Sequence, residues 1–258
     1  MGVNHDRVLF LGQDGTATRI VFNAVKTAFP TARVVLEDPV PRVQLWRRRA
    51  ARLGLVTVLG QALFRLLLVP ILNRVGKRRI EEIKRQYGLD DSPVTEGAIR
   101  VPSVNSEDLR QLLRELNPDV VVVNGTRIIG RDTLRATKAP FVNIHTGITP
   151  AYRGTHCGYW AVADGQPNLV GTTIHFIDEG IDTGPVIDQV TCDIENTDSF
   201  VTYPYLQLAN GLPLLLEAIQ GSLNGALSAR KHASSSPSKL CYHPTLWGYL
   251  ARRTKGVK

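Results

Sequence analysis

The run Asp119-Val120-Val121-Val122-Val123 constrains this chain more than any other stretch. Four consecutive β-branched apolar residues leave no polar face, so the strand they form must be covered on both sides. Just before it, Leu109, Leu112, Leu113 and Leu116 recur at helical spacing. Asn105 or Ser106 can cap that helix, Glu107 and Asp108 fall in its first turn, and Asn117-Pro118 ends it. Arg7-Val8-Leu9-Phe10-Leu11-Gly12 reads as another buried strand, followed by a helix with Ile20, Val21, Ala24, Val25 and Ala28 on one side. Arg33 to Glu37 supplies a further strand. Repeated strand–helix–strand units predict an α/β fold, a doubly wound and mostly parallel sheet with helices on both faces. Its site is expected at the carboxyl ends of the strands.

A chain of 258 residues with 43% hydrophobic and 21% charged content has the composition of a globular protein with ample core. Cys157, Cys192 and Cys241 are few, odd in number and widely spaced, which predicts no metal site and a reducing cytoplasm. Met1 to Arg7 lacks the apolar run of a signal peptide. The chain is read as a single domain over 1–258, with a basic, apolar helical insertion at about 42–92 and a short extension at about 226–258. Ser234-Ser235-Ser236-Pro237 signals a loop in that extension, and the tail to Lys258 ends basic.

The net charge of +8 is concentrated. Arg42 to Arg85 holds twelve Lys or Arg against two Glu, an excess of ten, so the remainder carries about −2. Within this segment Leu53 to Phe64 is uncharged and mostly apolar, Arg65 interrupts, and Leu66 to Ile71 resume. Gly54, Gly60, Gln61, Arg65 and Pro70 argue against a membrane span, which needs about twenty uninterrupted apolar residues. Two readings stay open: helices packed on the domain, or a peripheral contact through 47–79 with an anionic membrane surface on the cytoplasmic side. Binding to nucleic acid is disfavoured, because the centre is apolar and lacks interleaved aromatics.

Chemistry gathers between Asn143 and Asp182. Asn143 and His145 are two apart on an extended segment, so their side chains share a side. Asp182 lies in a Gly-flanked turn that can aim a carboxylate. An amide and an imidazole can stabilise an oxyanion, and an acid can orient the imidazole or relay a proton. His175, between Ile174 and Phe176, is expected to face away from this group. The turn Gly12-Gln13-Asp14-Gly15-Thr16-Ala17 could cradle a phosphate, but without GxGxxG or a suitably spaced ribose-binding acid a nicotinamide oxidoreductase is disfavoured.

Asn143-Ile144-His145, Thr149-Pro150-Ala151-Tyr152-Arg153-Gly154 and Asp178-Glu179-Gly180-Ile181-Asp182-Thr183-Gly184 together resemble the signature of the folate-dependent formyltransferases. The resemblance covers roughly Arg7 to Gly225 outside the basic segment. It implies a Rossmann-like formyltransferase fold and 10-formyltetrahydrofolate as formyl donor. Asn143, His145 and Asp182 would be catalytic. Arg127, Ile128 and Ile129, with Ile177, Asp178, Glu179 and Gly180, would contact the cofactor. Tyr152, Arg153 and Gly12 would contact a small-molecule amine, expected to bear phosphate. In such a reaction the amine attacks the formyl carbon directly, Asn143 and a protonated His145 hold the oxyanion, and Asp182 keeps His145 cationic and accepts the amine proton, directly or through a water. The Tyr152-Arg153-Gly154 variant and the tail look most like sugar N-formyltransferases, acting on nucleotide-linked amino-deoxy sugars. Gly12 and Gly184-Pro185 are similar to the phosphoribosylglycinamide enzymes of purine synthesis, the alternative. Few residues follow Asp182, so the β-rich domain of methionyl-tRNA formyltransferases is not expected. The extra N-terminal domain of formyltetrahydrofolate hydrolases is not expected either. A homodimer is implied by the resemblance alone. A basic nucleic-acid- or membrane-surface-binding module without catalysis is the alternative of another class.

Overall fold

The computed structural model describes residues 7–94, 97–230, 237–254 and 256–257. The start at Met1 to Asp6, the loop signal at 234–236 and Lys258 lie outside the described residues. Seven strands form one sheet: β1 (Val8–Gln13), β2 (Arg33–Glu37), β3 (Ile99–Val101), β4 (Val120–Asn124), β5 (Phe141–His145), β7 (Gly171–Phe176) and β8 (Val186–Thr191). Their order is β3-β2-β1-β4-β5-β7-β8. The first five are parallel, and β7 runs antiparallel to both β5 and β8. A short parallel pair, β6 (Tyr152–Gly154) with β9 (Lys239–Cys241), stands apart.

The valine run behaves as its composition demands. Val120 and Val122 of β4 enter one core with Phe10, Ile20, Val21 and Leu215, under α1 (Thr16–Ala28) and α8 (Tyr203–Leu223). Val121 and Val123 enter the opposite core with Leu9, Leu11, Leu109 and Leu113, under α5 (Glu107–Leu116). Burying both faces is what makes this a doubly wound sheet. The Ser106 hydroxyl caps α5 by accepting from the Leu109 N–H at 3.4 Å. The strand order turns back between β1 and β4, and a cleft opens at the carboxyl ends of β4 and β5, beside this switch point.

The basic apolar segment forms α2 (Arg42–Leu53), then one continuous rod from Leu55 to Tyr87. The break between them is Gly54, whose φ of +81° suits glycine. Pro70 does not end the rod. It has no N–H to offer the Leu66 carbonyl, and the preceding turn widens instead into a π-helix over Phe64–Leu68, with Val69 N–H donating to Phe64 O. Thus α3 (Leu55–Leu63) and α4 (Val69–Tyr87) remain in line. One stripe of the rod is tied down. Phe64 packs edge-on to Phe200 at 5.0 Å, and the Arg79 guanidinium donates to the buried Asp198 carboxylate at 2.9 Å.

Candidate active site

Strand pairing assembles the site. Asn143 of β5 lies directly opposite His175 of β7, and His145 lies opposite Thr173. Residues opposed across an antiparallel pair share a face, so His175 joins Asn143 and His145. The expectation that His175 faces away is overturned. Its apolar neighbours misled because β7 is buried almost throughout, and alternation then carries no inside–outside information.

Asp182 completes the cluster from the loop after β7. Its φ of +50° is a conformation L-residues rarely adopt, and it turns the carboxylate back towards the strands. Oδ2 accepts from the Gly154 N–H at 2.9 Å and lies 3.4 Å from Nδ1 of His145. Oδ1 lies 3.5 Å from Asn143 Nδ2 and 3.6 Å from His175 Nε2. The loop is braced by the Asp178 carboxylate, which accepts from Thr183 Oγ1 and from the Gly180 N–H.

Proton positions follow from the acceptors. His175 Nδ1 must donate to the Phe176 carbonyl at 2.7 Å. In the neutral ring Nε2 is therefore an acceptor, and it receives an Asn143 amide hydrogen at 3.0 Å. His175 thus fixes the orientation of Asn143. His145 has an acceptor at each nitrogen: Asp182 at Nδ1 and the Tyr152 carbonyl, 3.1 Å away, at Nε2.

Burial nevertheless pushes the His145 imidazole below its ordinary value, with Asp182 and the Tyr152 carbonyl pulling the other way. Two acceptors, one at each nitrogen, suit the doubly protonated ring that burial opposes. Burial also works against the Asp182 carboxylate. Contact with His175, attraction to His145 and the Gly154 N–H outweigh it and hold the group below its usual range.

Three residues that sequence reasoning missed support the site. A Cβ on Gly147 would stand 2.5 Å from His145 Nε2, so only glycine leaves room for the ring. Cys157 Sγ lies 3.6 Å from the same nitrogen. The neighbouring Cys241 thiol and burial hold Cys157 well above its usual pKa, which makes it a packing group rather than a nucleophile. The third is Glu37, buried at the end of β2. It accepts from the backbone N–H of Val104 at 3.1 Å and of Arg127 at 2.6 Å, anchoring the loop after β4. A glutamate closing an apolar strand was the available signal.

The cleft holds about 390 Å³ and is bordered by Asn143, His145, His175 and Asp182. Of the residues expected at the cofactor, Arg127, Ile128, Ile129, Ile177, Asp178 and Gly180 border it. The Arg127 guanidinium is engaged elsewhere, donating to the carbonyls of Asp38 and Pro102. Glu179 does not border the cleft; it is exposed and paired with Arg131 at 2.5 Å.

The three expected substrate contacts fall away from it. Tyr152 is buried, its hydroxyl donating to Asp164 at 3.2 Å. Arg153 donates to the Ile181 carbonyl at 3.0 Å and to Ser238, bracing the Asp182 loop. Gly12 lies inside β1, where a Cβ would stand 2.5 Å from Thr18 Cγ2. The turn that follows offers a poor phosphate seat, because the Asp14 carboxylate stands there, held by Arg19 at 2.9 Å.

Residues 82–210, half of the chain, match the family described as Formyl transferase. This chain belongs to the formyl transferase family. Over 120 residues it is 32% identical to the methionyl-tRNA formyltransferase of Caldicellulosiruptor saccharolyticus, covering 46% of this chain and 38% of that protein. The chain therefore spans well under half of that curated relative. The fold matches glycinamide ribonucleotide transformylase 1 of Symbiobacterium toebii, with a TM-score of 0.55 at 20% identity, covering 88% of this chain and 92% of that one. It also matches an N-formyltransferase of Helicobacter canadensis solved with folinic acid and dTDP-3-aminofucose. There the TM-score is 0.54 at 17% identity, covering 91% and 70% of the two chains. The family takes its formyl group from a formyl-tetrahydrofolate.

Proposed function

We propose that this chain transfers a formyl group from 10-formyltetrahydrofolate to a primary amine, and that the amine belongs to a nucleotide-linked amino-deoxy sugar in the cytoplasm. The observation that carries the reading is the convergence of Asn143, His145, His175 and Asp182 on one cleft. The cleft suits the donor: Val123, Ile129, Ile144 and Ile177 supply apolar border for a flat ring, and its volume falls in the range of small-molecule sites. Bound there, the folate supplies a formyl group already activated on nitrogen.

The chain's own residues do the remainder. Asn143 keeps one amide hydrogen on His175. Its second, with only a long 3.5 Å contact to Asp182, is free to donate to an oxygen gaining negative charge. The attacking amine must shed a proton. The paired Asp182 and His145 can accept it and return it to the folate nitrogen as its bond to the formyl carbon breaks. Support for the sugar comes from the Helicobacter canadensis neighbour with its amino-sugar nucleotide. The turn after β1 adds to it, since Asp14 places a carboxylate where the purine-synthesis reading needs a phosphate.

The test is folate release from 10-formyltetrahydrofolate with several nucleotide-linked amino sugars, glycinamide ribonucleotide, methionyl-tRNA and no acceptor. Turnover with an amino sugar, abolished by His145→Ala, is expected. Turnover confined to one of the other amines would replace the acceptor, release without acceptor would make the enzyme a hydrolase, and silence throughout would overturn the reading.

A further inference from the structure

The rod and α2 expose what a soluble domain normally hides. Of thirteen large apolar side chains exposed among the described residues, nine lie between Val43 and Val75. Leu55 is 77% exposed, Leu66 70% and Val75 78%. Scattered apolar residues need no explanation, but a continuous set on one element marks a binding surface. The cations around it are also unpartnered. Arg47, Arg48, Arg49, Arg65, Arg74 and Lys77 form no ion pair among the described residues, whereas Arg79 and Lys84 of the same rod do.

A groove of about 270 Å³ between α2 and α3 carries both features. Arg49 and Arg65 border it together with Leu45, Trp46, Val58 and Leu66. Two free guanidiniums beside apolar side chains suit a phosphate joined to hydrocarbon.

We propose that the outer face of α2, α3 and α4 docks onto an anionic phospholipid bilayer. The apolar stripe enters the interface, and the unpaired arginines and lysines meet lipid phosphates. The inference is independent of the formyl-transfer reading.

Three observations select this occupant. By length and composition Leu55–Tyr87 could cross a membrane. However, its inner stripe is clamped lengthwise to the domain: Gln61 donates to the His243 carbonyl at 2.9 Å, and Phe64 sits 5.1 Å from Tyr249. A helix held this way lies along a surface, with its outer side free. A second copy is disfavoured, because a twofold contact sets the same patch against itself. Each patch carries Arg47, Arg48, Arg65, Arg74 and Lys77 exposed and without an ion pair among the described residues, so the two would repel. The charge that fits is negative and spread over a plane, beside an apolar layer. A bilayer leaflet rich in anionic lipid has both.

The experiment is co-sedimentation of the full chain with vesicles of phosphatidylcholine, with and without phosphatidylglycerol, at low and high salt. Binding to the phosphatidylglycerol vesicles alone, weakened by salt, is expected. Arg47→Gln, Arg48→Gln and Lys77→Gln combined should weaken it about a hundredfold, at roughly fivefold for each cation near the surface. Leu66→Asp with Val75→Asp should weaken it too, by removing apolar contact and adding negative charge. All five positions are exposed, and thermal unfolding verifies that the variants fold. Failure of the wild type to bind either vesicle would overturn the proposal. So would binding that both sets of variants leave intact. Sedimentation equilibrium covers the remaining case: a dimer that Leu66→Asp and Val75→Asp dissociate, without vesicle binding, would make the face a self-association surface.

Discussion

At the cleft, His145, His175 and Asp182 sit inside the protein; along the rod, leucines and valines sit outside it. The two regions depart from the usual distribution in opposite directions, and the family match covers them unequally. It begins at residue 82, beyond most of the rod, and runs through the whole cluster of Asn143, His145, His175 and Asp182. The buried polar groups satisfy one another, each imidazole nitrogen having a partner. Arg47, Arg48, Arg65, Arg74 and Lys77 of the rod and α2 form no ion pair among the described residues. A satisfied polar cluster in a cleft is poised to stabilise charge that develops during a reaction. An unsatisfied basic and apolar surface is poised to meet something outside the molecule.

The largest effect should come from the cluster. Asp182→Asn removes the charge that stabilises protonated His145 and should lower kcat about 10²–10⁴-fold, as loss of positioned acid–base groups does. Single-turnover formyl transfer checks this, and an unchanged rate would detach the cluster from catalysis. Next comes the separation itself. Leu66→Asp with Val75→Asp should leave kcat/KM for a water-soluble acceptor within about twofold, since a surface change far from special features costs little. A large loss would show that rod and cleft are one functional unit.

His175→Ala should have a smaller effect, up to about tenfold in kcat with KM little changed, because it frees Asn143 without removing it. Partial recovery in His175→Gln, whose amide can again accept from Asn143, would separate positioning from packing.

The smallest effect distinguishes the regions by pH. His145 and His156 are held below their ordinary values by burial, and burial pushes His243 down to about 4. Unfolded histidines protonate near pH 6.5, so between that pH and the folded values the unfolded state binds more protons. Stability contributed by these groups is therefore complete above about pH 6.5. It falls as the pH drops, by at most roughly 1.4 kcal/mol per pH unit for each. Asp182, held low, adds a further loss once the pH passes below about 4. Urea midpoints measured from pH 8 to pH 5 should show the decline, with a shallower slope in His243→Gln. Vesicle binding by arginines should stay constant over the same range, because guanidinium does not titrate there.

Much of this molecule was legible in its residues because the physics involved was local. Four adjacent valines demand a strand covered on both faces, Ser106 before Glu107 and Asp108 demands a helix start, and Asn143 with His145 must share a side of one strand. Local backbone preference likewise allowed Asp182 its left-handed turn among glycines. The rest depended on partners distant in sequence. His175 reached the site only through its register with Asn143, thirty-two positions away. Arg153 and Tyr152 found their hydrogen-bond partners in Ile181 and Asp164. Glu37 found its purpose ninety positions on, at Arg127. The sequence by itself determined the doubly wound sheet and the segment holding the chemistry, since periodicity and turn preference act between near neighbours. Only the tertiary structure decided which groups meet, that burial opposes a charge on His145, and that one side of a basic apolar rod stays open. Pairing register, desolvation and exposure are properties of the assembled interior and surface, and no local pattern encodes them.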